Sequence, residues 1–96
     1  MPFVYILTNR NNEVLYVGVT NNLTRRIYEH CSKYTKSFSN KYNLTKLVYC
    51  ESCNSMIDAI RREKQLKAWR RDWKRALVTE RNPHWEDLLP EDKSIS

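Results

Sequence analysis

The chain has 96 residues, a formal net charge of +6 and a pI near 9.4, with 41% hydrophobic and 29% charged residues. That length supports one domain with a modest core, and no run of 18 apolar residues is present to cross a membrane. The N-terminus lacks the basic start and apolar run of a signal peptide, so the expected location is the cytoplasm. The positive balance suits a polyanion such as nucleic acid, or an acidic surface.

Phe3 to Thr8 is rich in β-branched and aromatic residues and reads as a strand. Asn9 to Asn12 is a polar turn, and Val14 to Val19 is a second strand, so the two form a hairpin. If Thr8 pairs with Glu13, Leu7 faces Val14 and Tyr5 faces Tyr16, with both tyrosines on one face. Thr20, Asn21 and Asn22 supply capping side chains for a helix from Asn22 to Ser32. On it Leu23, Ile27 and Cys31 make an apolar line, and Arg26 and His30 share an adjoining face. Ser32 to Asn43 is a basic loop or irregular helical turn, with Tyr34, Phe38 and Tyr42 among Lys33, Lys36 and Lys41.

Leu44 to Glu51 reads as the third strand. Ser55 to Asp58 is a capping box opening the longest helix, Asn54 to Arg71. Its apolar positions are Met56, Ala59, Ile60, Leu66 and Trp69, and Glu63 falls within that stripe. A further helix covers Asp72 to Glu80, although neither glycine nor proline marks the break. Asn82-Pro83 ends the helical region, Trp85, Leu88 and Leu89 fold back on the body, and Pro90 to Ser96 frays. The order predicts an α+β domain over 1–89, a small three-stranded mixed or antiparallel sheet flanked by helices.

The cysteines, Cys31, Cys50 and Cys53, are odd in number and read as free thiols. Cys50 and Cys53 have the spacing of half a zinc site, and Cys31 and His30 would complete four ligands. No second C-x2-C or H-x3-H pair supports it.

Gly18 is the chain's single glycine, at the end of a strand-like run. It either lets the chain bend or lets another group approach the backbone. The segment from Arg61 to Arg75 holds eight of the 17 basic residues, with Glu63, Asp72, Trp69 and Trp73 among them. Its arginines and lysines suit a phosphate backbone, whereas large aromatics more often belong to a core. A carboxylate in such a run holds a divalent cation beside a phosphate, or simply pairs with a basic side chain one turn away. Arg26 is either a transition-state charge stabiliser or a surface arginine. His30 is an acid, a base, a phosphate contact or a hydrogen-bonded structural residue. Tyr5 and Tyr16 either supply phenols or cover a sheet face.

Taken together, Phe3-Val4-Tyr5, Tyr16-Val17-Gly18, Arg26 with His30, and Glu63 within Arg62 to Lys67 resemble the GIY-YIG nuclease superfamily. The closing Asn82 to Leu88 segment is similar to its small stand-alone, single-domain members. Phe3 stands where the family's first glycine would be, and Val19 where some members carry lysine. Asn82 corresponds to a C-terminal asparagine of the family site, at a longer spacing from Glu63. The resemblance implies a metal-dependent DNA endonuclease, of the kind used in DNA repair or recombination, that takes Mg2+ (or Mn2+) at Glu63. It implies Tyr16 as general base, Tyr5 positioning water or phosphate, and Arg26 with His30 at the developing charge. Gly18, Lys41, Tyr42, Arg62, Lys67 and Asn82 are the expected substrate contacts, and replacing Gly18 is expected to cost activity more than stability. The expected partner is DNA, structured or branched, with a protein partner for targeting and no membrane. The alternative is a non-catalytic nucleic-acid-binding module acting with a partner; a binder of acidic protein or membrane surfaces is a third reading. The residues leave the oligomeric state open.

Overall fold

The computed structural model describes residues 1–23, 25, 44 and 46–88. Three strands, β1 (Phe3–Thr8), β2 (Leu15–Thr20) and β3 (Lys46–Ser52), precede two helices, α1 (Met56–Ala68) and α2 (Arg71–Arg81). The sheet is antiparallel throughout, in the order β2-β1-β3. The α+β class expected from the element order is the one observed.

β1 lies in the centre, which explains its uninterrupted apolar sequence: from Val4 to Thr8 every residue is buried, on both faces. Val4, Ile6 and Val17 meet Ala59, Leu66, Val78 and Trp85 on the helix side. Tyr5 and Leu7 join Leu44 and Leu47 on the other side, where Tyr16 and Leu23 pack against them. A bulge lies where the β3 partner changes from Tyr49 to Leu47 between Ile6 and Leu7. The extra residue lets Val48 and Tyr49 both enter the helix-side core.

The hairpin register differs from the expected one by two residues. Thr8 pairs with Leu15, Leu7 with Tyr16 and Tyr5 with Gly18. The reason lies in the loop. Asn9 Oδ1 accepts hydrogen bonds from the Glu13 N–H (2.7 Å) and the Val14 N–H (3.2 Å), which draws both residues out of the ladder. Asn12 turns the chain in the left-handed region at φ 59°, a conformation asparagine tolerates better than most residues. Because strand side chains alternate, a shift of two leaves Tyr5 and Tyr16 on one face.

Helical geometry begins at Leu23 and Arg25, and Asn22 Oδ1 accepts from the Arg25 N–H at 3.1 Å. The rest of the helix expected to Ser32, and the loop that follows, lie outside the described residues. α1 is capped by Ser55, whose Oγ accepts from the Asp58 N–H at 3.2 Å. It ends two residues before α2 begins, where Trp69 (ψ 150°) and Arg70 (ψ 155°) are both extended. The break thus needs neither glycine nor proline. After α2 the chain runs beside β3. The Leu88 N–H donates to Leu47 O at 2.7 Å, and the Leu47 N–H donates to Asp87 Oδ1 at 3.2 Å. This covers the exposed edge of the sheet.

Candidate active site

Tyr5 and Tyr16 meet on the sheet face opposite the helices. Their ring centroids are 6.4 Å apart, with planes inclined at 45°. Tyr5 is fully buried and Tyr16 half-buried at the β2 edge. A Cβ built on Gly18 would overlap the Tyr5 phenol, above all its Cζ and Oη. Gly18 is therefore the receptor for the Tyr5 ring, and the space above its backbone holds a side chain of this protein.

Glu63 reaches the same edge from α1. Its Oε2 lies 3.0 Å from Lys67 Nζ, one helical turn on, and its side chain is only 17% exposed. Lys67 Nζ also lies 6.0 Å from the centroid of the Tyr16 ring. Lys67 thus stands between the carboxylate and the tyrosine pair. Among the described residues no group of three or more histidine, cysteine, aspartate or glutamate side chains could hold a metal ion. The described donor at this edge is the Glu63 carboxylate, and one carboxylate suits a divalent cation bound largely through substrate phosphate and water.

Other basic residues are engaged within the fold. Arg62 donates from Nε to Glu51 Oε1 at 2.7 Å and from Nη1 to Gln65 Oε1 at 2.6 Å, and its guanidinium lies over Trp69. Burial works against its charge, but Glu51 and Tyr49 outweigh that and raise the Arg62 pKa above its ordinary value. Arg71 Nη2 bonds to Glu13 O, and Arg75 Nη1 donates to Asn12 O at 2.7 Å. Arg75 also stacks over Trp85, 4.5 Å from its centroid. The basic segment therefore clamps the hairpin loop as well as presenting charge. That role left no trace in the sequence pattern, because its acceptors are backbone carbonyls.

Asn82 is 6% exposed. Its Nδ2 donates to Val48 O (3.2 Å) and Glu86 O (2.8 Å), and its Oδ1 accepts from the Glu86 N–H (3.0 Å). Both amide protons are used, so in this conformation Asn82 fastens the tail to β3 and presents no donor to a substrate. Arg26, His30, Lys41 and Tyr42 lie outside the described residues. The structure thus brings together Tyr5, Tyr16, Gly18, Glu63 and Lys67.

A family profile described as the GIY-YIG catalytic domain matches residues 1–76. The chain belongs to the GIY-YIG family. A UPF0213 protein of Pseudomonas aeruginosa is 36% identical over 72 residues, covering 75% of this chain and 69% of its own length. A UPF0213 protein of Syntrophus aciditrophicus is 35% identical over 82 residues, covering 84% and 92%. The solution NMR structure of a UPF0213 protein from Bacillus halodurans superimposes with a TM-score of 0.57 at 29% identity, covering 91% of this chain and 93% of that one. In this GIY-YIG domain the two name-giving motifs are adjacent strands, and the tyrosine of the first seats itself on the glycine of the second. No helix among the described residues is long and apolar enough to cross a membrane.

Proposed function

We propose that this GIY-YIG domain is a metal-dependent endonuclease that hydrolyses phosphodiester bonds in DNA. The observation that carries the reading is the convergence of Tyr5, Tyr16, Lys67 and Glu63 at one sheet edge. A pair of phenols, an ammonium and a carboxylate is an unusual grouping for a purely structural surface, and it suits a phosphate undergoing attack.

Tyr16 is the general base: it takes a proton as water adds to phosphorus, and the bond from phosphorus to the leaving oxygen breaks. A tyrosine oxygen that carries charge needs a cation nearby, and Lys67 Nζ, 6.0 Å from the Tyr16 ring centroid, supports that reading. Tyr5, fully buried and seated against Gly18, supports the Tyr16 ring from within the sheet face. Arg26 and His30 are assigned to the developing negative charge by the family pattern. Glu63 holds Mg2+ (or Mn2+), which when bound supplies Lewis-acid stabilisation of the leaving oxygen. The target is DNA, structured or branched, and a protein partner supplies targeting.

A supercoiled-plasmid nicking assay tests this. Open circles are expected with Mg2+ and none with EDTA, and Glu63→Gln is expected to abolish nicking while still retarding DNA on a gel. Nicking by Glu63→Gln at the parent rate would overturn the reading. The Lys67–Glu63 pair favours one second reading, a non-catalytic nucleic-acid-binding module in which the carboxylate only orders a lysine. Retardation without nicking by the parent protein would establish it.

A further inference from the structure

The junction of α1 and α2 carries a second feature that the site above does not use. Trp69, Trp73, Ala76, Leu77 and Glu80 line an open notch of about 250 Å³. Four of them recur at helical spacing on α2, so they form one stripe. Trp73 is 51% exposed, although large aromatics usually find cover. The two indoles meet edge to face, 6.0 Å apart. A guanidinium lies over each: Arg62 at 5.4 Å from the Trp69 centroid and Arg70 at 5.1 Å from that of Trp73.

Size and charge select the occupant. A stable protein–protein interface takes about 20–30 residues a side, and this notch offers five. At about 250 Å³ it is smaller than a pocket for a drug-sized ligand and admits only a small flat group. The chain carries +6 overall, and Arg70, 69% exposed, lies over Trp73 and among the described residues is ion-paired with Asp72, itself 67% exposed. Aromatic faces flanked by guanidinium groups suit a stacked base with its phosphate. Glu80 lines the notch as well and repels phosphate, so the base enters and the phosphate stays with Arg70.

We infer that the Trp69–Trp73 notch binds an unpaired nucleotide of single-stranded DNA. The inference rests on the reading of the chain as a DNA-acting protein, but not on its being catalytic.

The test is a titration of the full chain with a single-stranded 12-mer in EDTA, followed by tryptophan fluorescence. Saturable quenching is expected, and excess polyglutamate does not reverse it. Trp73→Ala is expected to raise Kd about tenfold, within the range for a lost base stack, while Trp73→Phe restores tight binding. Thermal melting monitored by circular dichroism confirms that both variants fold. The inference is overturned by absent quenching, by equal Kd for the parent and Trp73→Ala, by displacement with polyglutamate, or by self-association that Trp73→Ala abolishes and DNA does not. Loss of oligonucleotide binding in Trp73→Ala, in a protein that never nicks plasmid, would uphold the notch and refute only the nuclease.

Discussion

The Tyr5 phenol occupies the space that any side chain at position 18 would need. The two residues are direct partners across the β1–β2 ladder, so the glycine is required by a neighbour's bulk. Substituting it injures the fold first. Gly18→Ala is expected to destabilise the domain by about 1–3 kcal/mol through overpacking, lowering Tm by roughly 4–8 °C per kcal/mol. This expected loss stands against the expectation that activity would suffer more than stability, and nicking by the folded variant, measured beside its Tm, decides between them. A Tyr5→Leu background should relieve part of the penalty, and a double-mutant cycle in urea should give a coupling of about 0.5–3 kcal/mol. Strict additivity would mean that the ring does not occupy this space.

Lys67 separates stability from chemistry. Its ion pair with Glu63 is an i,i+4 helical contact whose lysine end is half exposed, worth about 0.3–0.5 kcal/mol. Lys67→Met should therefore leave the urea midpoint nearly unchanged. On the proposed mechanism its plasmid nicking should fall at least about tenfold, the rate equivalent of about 1.4 kcal/mol. A variant that nicks at the parent rate would remove Lys67 from the site.

Asn82 should behave in the opposite way. Asn82→Ala removes the partner of the buried Val48 O and of the Glu86 backbone in a part-buried turn. A loss of about 1–3 kcal/mol is expected, with faster amide exchange in 82–88 and along the β3 edge. DNA affinity, measured at a temperature where the variant is folded, should be unchanged. A weakened Kd without a stability loss would return Asn82 to the substrate.

Alkaline pH should weaken the fold through its thiols. Burial raises the Cys50 thiol, with Arg81 opposing. Burial also raises Cys53, reinforced by Glu51 and Asp58, with Arg62 opposing. A raised folded-state pKa means that the native protein holds the proton longer than the unfolded chain. The resulting stabilisation is complete below about pH 8.5, the ordinary thiol value, and is lost as pH rises through the folded value. Urea unfolding of the parent at pH 7.5 and 9.5 should show a decline, and Cys50→Ala/Cys53→Ala should show a smaller one. Equal declines would exclude the thiols as the cause.

The strands, both helices and the family were legible in the sequence because their causes are local. β-branched and aromatic runs mark β1 to β3, the Ser55 cap marks α1, and two short motifs with a late glutamate mark the GIY-YIG domain. What only the tertiary structure decided depends on groups distant in the chain. The hairpin register followed Asn9's grip on Glu13 and Val14, reinforced by Arg71 and Arg75 holding the loop carbonyls from a helix some sixty positions later. The helix break at Trp69 and Arg70 has no breaker residue, so composition could not locate it. Trp73 looked like core but lies half exposed, because α2 turns Val78 and Leu77 toward the core and leaves Trp73 outside it. Whether a given arginine, lysine or asparagine faces a ligand or a carbonyl is a matter of packing, since the side chain is the same in either role. Gly18 shows both limits: its solitude in the sequence marked it as special, and only the Tyr5 ring seated against it supplied the reason.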